Sequence, residues 1–158
     1  MPNPDRIDAT DARLLLALTE DPRATTIALA EQTGLSRNTV QSRLARLEER
    51  LDSFQRRVPP KLLGYPLTAF VTTQVRQRLL DEVAAALADI PEVLQVQGIS
   101  GQTDLMVHVV ATDADDLYRI AGQILAIPGV ERTNTALVMR ELVDYRISPL
   151  LRHRAEAR

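Results

Sequence analysis

The chain contains no cysteine and no tryptophan, and only two histidines, three tyrosines and two phenylalanines. Without cysteine there is no disulfide, no thiol nucleophile and no cysteine-held zinc or iron–sulfur centre. A metal site built on His108 and His153 would need both rings together with carboxylates from distant positions. So few aromatics leave an aliphatic and thin core. No apolar run approaches the roughly 20 residues that cross a bilayer. The opening MPNPDRIDATD lacks the charged-then-apolar profile of a signal peptide, so the expected location is the cytoplasm, with no membrane partner. Nor is the chain basic as a whole. Its formal net charge of −2 argues against a protein that coats nucleic acid by charge alone.

A length of 158 residues allows one ordinary domain or two small ones. Hydrophobic content of 45% and charged content of 25% exclude wholesale disorder. Charge is unevenly spread. Six arginines fall between Ser36 and Arg57, against Glu48, Glu49 and Asp52. This window opens with GLSRNTVQSRLARL, which has helical spacing. Ser36 can cap it, because its hydroxyl can accept a first-turn N–H that lacks a partner inside the helix. Val40, Leu44, Leu47 and Leu51 recur at steps of four, three and four, an apolar stripe for a core. The other face carries Arg37, Asn38, Gln41, Ser42, Arg43 and Arg46, with no acid among them, and Ser36 and Thr39 extend that surface.

Just upstream, TTIALAEQTG reads as a shorter helix capped by Thr25 and stopped by Gly34. Two short helices at a glycine turn, the second basic, form the pattern of a helix-turn-helix. A basic amphipathic helix alone is commonly a solvated surface helix. Here cap, turn and acid-free face coincide, which points to double-stranded DNA. In that reading Arg37, Asn38, Gln41 and Ser42 reach base edges, while Arg43, Arg46 and Arg50 hold phosphates.

Along the chain, residues 1 to 7 hold two prolines and little to bury, and read as a loose arm. Asp8 caps a first helix, Asp11 favours its positive end, and Leu14, Leu15 and Leu18 form its buried side. Three helices then span about 8 to 51, giving a DNA-binding domain over 1–52. A hinge and linker follow over 53–66: a short strand or extended hinge at 53 to 58, a helical turn at Lys61 to Leu63, then Gly64 and Pro66. From Leu67 the period changes to two. LTAFVTTQV is a strand, and LLDEVAAALADI a helix with Leu79, Val83, Leu87 and Ile90 inward. VLQVQGI and DLMVHVVAT form a hairpin about Ser100–Thr103. DADDLYRIAGQILAI is a helix with Leu117, Ile120, Ile124 and Leu125 as its apolar face, and VERTNTALVMRELV is the last strand. The order βαββαβ over 67–158 is a four-stranded antiparallel sheet with both helices on one face. The expected fold is therefore α+β: a three-helix winged helix-turn-helix followed by a ferredoxin-like domain. The uncovered sheet face would carry Phe70 with Val107 and Val109 or their alternates. Such a face commonly meets a second copy of itself, and a twofold dimer suits a palindromic site.

The helix-turn-helix GLSRNTVQSRLARLE, the turn GQTDL and the strand VERTNTALV, in this order, resemble the leucine-responsive regulator/AsnC (feast/famine) family of transcription factors over nearly the whole chain. The resemblance implies a DNA-binding head, a hinge strand and a ligand-sensing domain that dimerises and assembles further, to tetramers or octamers. It also implies an amino acid or related small molecule bound at the turn Gly101, Gln102, Thr103, Asp104 and the strand segment Thr133, Asn134, Thr135. Asp104 suits an ammonium, and backbone N–H groups near Gly101 with the threonine hydroxyls suit a carboxylate. Each also has a plain structural reading: a turn-capping aspartate, a positive-φ glycine, threonines of ordinary strand propensity. His108 reads as a packed or interface side chain rather than a catalyst. The family usually places a glycine soon after the recognition helix. LEERLDSF has none, and the link is shorter by about two residues. Two rival readings remain: an enzyme resembling the siroheme decarboxylases, which share the two-domain plan, and an architectural DNA-binding protein without a working ligand site. No cofactor and no catalytic residue are expected.

Overall fold

Caps and glycines punctuate the first three helices where the sequence places them. In this computed structural model, which describes residues 6–157, the arm expected over 1 to 7 lies outside the described residues as far as residue 5. Helix α1 (Ala9–Glu20) begins at a capping box: the Asp8 carboxylate accepts the Asp11 N–H at 2.8 Å, and Asp11 accepts the Asp8 N–H at 3.4 Å. Thr25 caps α2 (Thr26–Thr33), and Gly34 ends it in the left-handed conformation, φ 70°. Ser36 caps α3 (Arg37–Glu48). Leu14, Leu29 and Val40 are fully buried between these helices.

The chain divides into two units. Among the described residues, one holds 6–53 together with 143–157; the other is Phe54–Leu142. The sheet domain therefore ends well before residue 158, where the sequence reading had carried it. A helix the sequence reading missed, α6 (Ser148–Glu156), lies in the helical unit. Its Leu151 packs with Ala12 and Leu15 of α1 and Leu47 of α3, and the Arg154 Nε donates to the Ile7 carbonyl at 2.7 Å. The sequence signal was there: Ser148-Pro149 starts a helix well, since proline sets φ and its missing N–H is not needed in the first turn.

The second unit is the expected antiparallel sheet. Strands β1 (Leu67–Val75), β2 (Val93–Gly98), β3 (Leu105–Ala111) and β4 (Val130–Leu137) lie in the order β2-β3-β1-β4. Helices α4 (Leu80–Ala88) and α5 (Ala114–Leu125) cover one face. Val83, Leu87, Leu117, Ile120 and Ile124 pack there on Ala69, Val71, Val107 and Val109. This is the ferredoxin-like arrangement.

Four local expectations need correcting. The strand or extended hinge at 53 to 58 is a 3-10 turn over Phe54–Arg57, followed by a second over Pro60–Leu63. No strand lies beside the recognition helix among the described residues, so the head is helical and carries no wing. Leu51 falls beyond α3 and is 48% exposed, and Leu125 on α5 is 49% exposed, so neither belongs to its stripe. The last strand stops at Leu137; the apolar letters beyond it, Val138 to Val143, are exposed chain that pairs with no strand except for one bond from Val138 to Thr68. Val107 and Val109 face the helices, and their alternates Met106 and His108 share the open face with Phe70. No helix among the described residues is long and apolar enough to cross a membrane.

Candidate nucleic-acid interface and effector cleft

Helix α3 divides its polar side chains into two sets. Arg37, Asn38 and Gln41 are exposed and make no hydrogen bond or ion pair with another described residue. They sit in the first turn and a half, at the positive end of the helix, the end that a recognition helix brings to base edges. The remaining predicted side chains are engaged within the unit. The Ser36 hydroxyl accepts the Thr39 N–H at 3.1 Å and lies 2.8 Å from the Thr39 hydroxyl, and Ser42 donates to the Thr39 carbonyl. The Arg43 Nη1 donates to Asp8 and to Asp11, both at 2.7 Å, and the Arg46 Nη2 reaches Asp11 at 2.8 Å. Asp11 is fully buried, while Arg46 keeps half its side chain in solvent. The face that looks free of acid in the sequence is supplied with acid by α1. Arg50 lies past the end of α3, exposed. That end has no left-handed residue: Glu49 stays in the right-handed region, so the missing glycine is replaced by an ordinary turn.

On the sheet unit, the predicted effector residues are only partly brought together. Gln102, Thr103 and Thr133 line a shallow cleft of about 150 Å³ with Thr72, Gln74, Arg132 and Asn134. The Gln74 amide donates to the Gln102 carbonyl at 2.6 Å, which fixes one wall. Gly101 takes φ 126°, the positive-φ role available to glycine at that turn. Thr135 is elsewhere. It pairs with Val71, whose side chain faces the helices, and lines a different depression beside Leu117 and Tyr118 of α5. Asp104 is committed too. Its carboxylate accepts the Val75 N–H at 2.8 Å and the Gln77 amide at 2.7 Å, closing the irregular end of β1. That is a structural bond to another segment, neither an open ammonium seat nor a cap of its own turn.

The cleft's one cation, Arg132, was missed by sequence reasoning. It stands opposite Gln74 in the β1–β4 register and has no ion-pair partner among the described residues. Alternation in VERTNTALV puts Arg132 and Asn134 on one face and Thr133 and Thr135 on the other, and that signal was readable.

Across the open face, the Phe70 and His108 rings stack at 4.9 Å. Burial, and secondarily the charge of Arg56, push the His108 imidazole below its ordinary value, so the ring is neutral at pH 7.

The pattern of the Lrp/AsnC ligand binding domain matches residues 68–147, and that of the AsnC-type helix-turn-helix domain matches residues 7–48. The chain belongs to the Lrp/AsnC family. It is a DNA-binding transcriptional regulator of that family. The HTH-type transcriptional regulator FL11 of Pyrococcus horikoshii is 30% identical over 136 residues, which cover 85% of this chain and 90% of the relative. The feast or famine regulatory protein Rv3291c of M. tuberculosis, solved in complex with L-methionine, is 30% identical. It superposes with a TM-score of 0.75 over 89% of this chain and 97% of its own. Escherichia coli AsnC shares the fold, with a TM-score of 0.81 over 91% of this chain and 99% of its own, at 24% identity. Within this Lrp/AsnC chain, then, the helical unit is the DNA-binding part, and the ferredoxin-like unit carries the ligand-binding domain pattern.

Proposed function

We propose that the regulator reads a palindromic operator as a homodimer, with Arg37, Asn38 and Gln41 of each α3 at the base edges. The proposal includes a small carboxylate-bearing effector, most simply an amino acid, in the cleft around Arg132. The observation that carries the first part is that these three side chains are exposed and unengaged at the helix end that meets DNA, while their neighbours are not. Base-edge contacts of this kind discriminate by about 1–3 kcal/mol each. Asn38→Ala therefore relaxes preference at one operator position, and Arg37→Ala weakens specific binding. Selection of bound sequences from a random duplex pool checks both. If neither variant changes the selected motif, α3 is not the reading helix.

Support for the effector comes from the cleft's chemistry. A guanidinium with no ionic partner, three amide side chains and threonine hydroxyls suit a carboxylate. The L-methionine complex of Rv3291c makes L-methionine the first compound to try. Calorimetry against L-methionine and then the other amino acids gives heat with the parent chain and none with Arg132→Ala. Heat that survives that substitution places the effector elsewhere, and no heat with any amino acid favours an architectural role. The effector acts by its differential affinity for assembly states, whether dimer, tetramer or octamer. The relatives' names are those of regulators, which supports this reading over a siroheme decarboxylase-like enzyme.

A further inference from the structure

The two acids of the α1 capping box do a second thing: they hold the recognition helix. Asp11 is fully buried and takes both Arg43 and Arg46, and Asp8 takes Arg43 again from the solvent side. Four charge-assisted bonds between 2.7 and 3.1 Å tie residues more than thirty positions apart. Two carboxylates against two guanidiniums leave the cluster neutral.

Drawing Arg43 out to a phosphate would take from the buried Asp11 carboxylate one of its two guanidinium partners. Breaking a buried pair in this way is strongly unfavourable, whereas a solvent-facing ion pair gains little. Arg43 and Arg46 therefore stay on α1 when DNA arrives. On this reading they do not hold phosphates, which departs from the sequence expectation. We infer that Asp11 is a positioning residue for DNA binding, withdrawing Arg43 and Arg46 from the phosphate backbone and confining recognition to Arg37, Asn38 and Gln41. The inference rests on α3 being the reading helix. Its consequence is selectivity. Phosphate contacts add affinity for every sequence alike, so an internal acid that occupies two arginines lowers non-specific binding while leaving base readout intact.

The test is the salt dependence of binding to a fluorescent duplex of random sequence, using the full chain. Each arginine that gains a phosphate steepens the log–log slope by about 0.9. Asp11→Asn keeps an acceptor for the Asp8 N–H, frees Arg46 and leaves Arg43 on Asp8 alone, so the slope steepens by about one and random-sequence affinity at low salt rises several-fold. Arg43→Gln in the parent leaves the slope unchanged; in the Asp8→Asn/Asp11→Asn background it lowers the slope by about one. The inference is overturned if Arg43→Gln in the parent lowers the slope by about one. It also fails if Asp11→Asn, folded by circular dichroism, only melts earlier and keeps the parent slope. Should Asp11→Asn not fold, the Arg43→Gln result in the parent decides, since Arg46 still partners Asp11 there. Arg37→Ala is the separate control: if it binds both random and selected duplexes as the parent does, the reading of α3 itself is at fault.

Discussion

Asp104 and Asp8 show how a carboxylate's partner decides its role. Asp104 bonds the Val75 N–H and the Gln77 amide, so Asp104→Ala leaves a part-buried donor unmet. That costs about 1–3 kcal/mol. Urea unfolding of the full chain shows a lowered midpoint for Asp104→Ala and a smaller change for Asp104→Asn. Burial pushes the Asp8 carboxyl up, but the hydrogen bond from Arg43, the Asp11 N–H and the Arg43 charge together outweigh it and leave it below 3.8. A carboxyl lowered by folding gives stability that is fully present above the unfolded value and is lost as pH falls through the folded one. The unfolding midpoint therefore drops below about pH 4, and Asp8→Asn flattens that dependence in a pH series of melts.

At the scale of elements, ends matter more than middles. Gly34 stops α2 at φ 70°, and a Cβ there would meet nothing within 4 Å. The cost of Gly34→Ala is thus torsional alone, about 1–2 kcal/mol, and Gly34→Asn costs less because asparagine enters the left-handed region more readily. Differential scanning calorimetry of the two variants gives that order. Helix α6 is the element whose loss reaches farthest. Leu151 is 7% exposed among Ala12, Leu15 and Leu47, so Leu151→Ala costs about 2–5 kcal/mol. Equilibrium unfolding of the full chain shows it. The same change at Leu150, 71% exposed, stays within about 0.5 kcal/mol.

Across the whole molecule, apolar surface is left uncovered. The open sheet face carries Phe70, Met106 and His108, and the segment after β4 exposes Met139, Leu142, Val143 and Tyr145. Single exposed hydrophobics are ordinary, but a contiguous run is not. The proposed homodimer would join through the open face, and sedimentation equilibrium checks it. Phe70→Asp shifts the chain toward monomer and weakens operator binding, because each half-site then binds alone.

Sequence by itself determined the starts of the first three helices and the βαββαβ order of the sheet domain, but not which face of the sheet the helices cover. Starts and order depend on neighbours within a few residues: Asp8, Thr25, Ser36 and Asp113 as caps, Gly34 as a stop, and the change of period at Leu67. The tertiary structure alone decided that Asp8 and Asp11 take the arginines of a helix more than thirty residues away, and that Asp104 ties β1 rather than standing open. It likewise decided that the last helix belongs to the head and that β4 ends at Leu137. Caps and periods are settled by local bonding and by one element's own geometry. A charged side chain's partner is settled by whatever the fold brings within 3 Å of it, and no spacing along the chain encodes that distance.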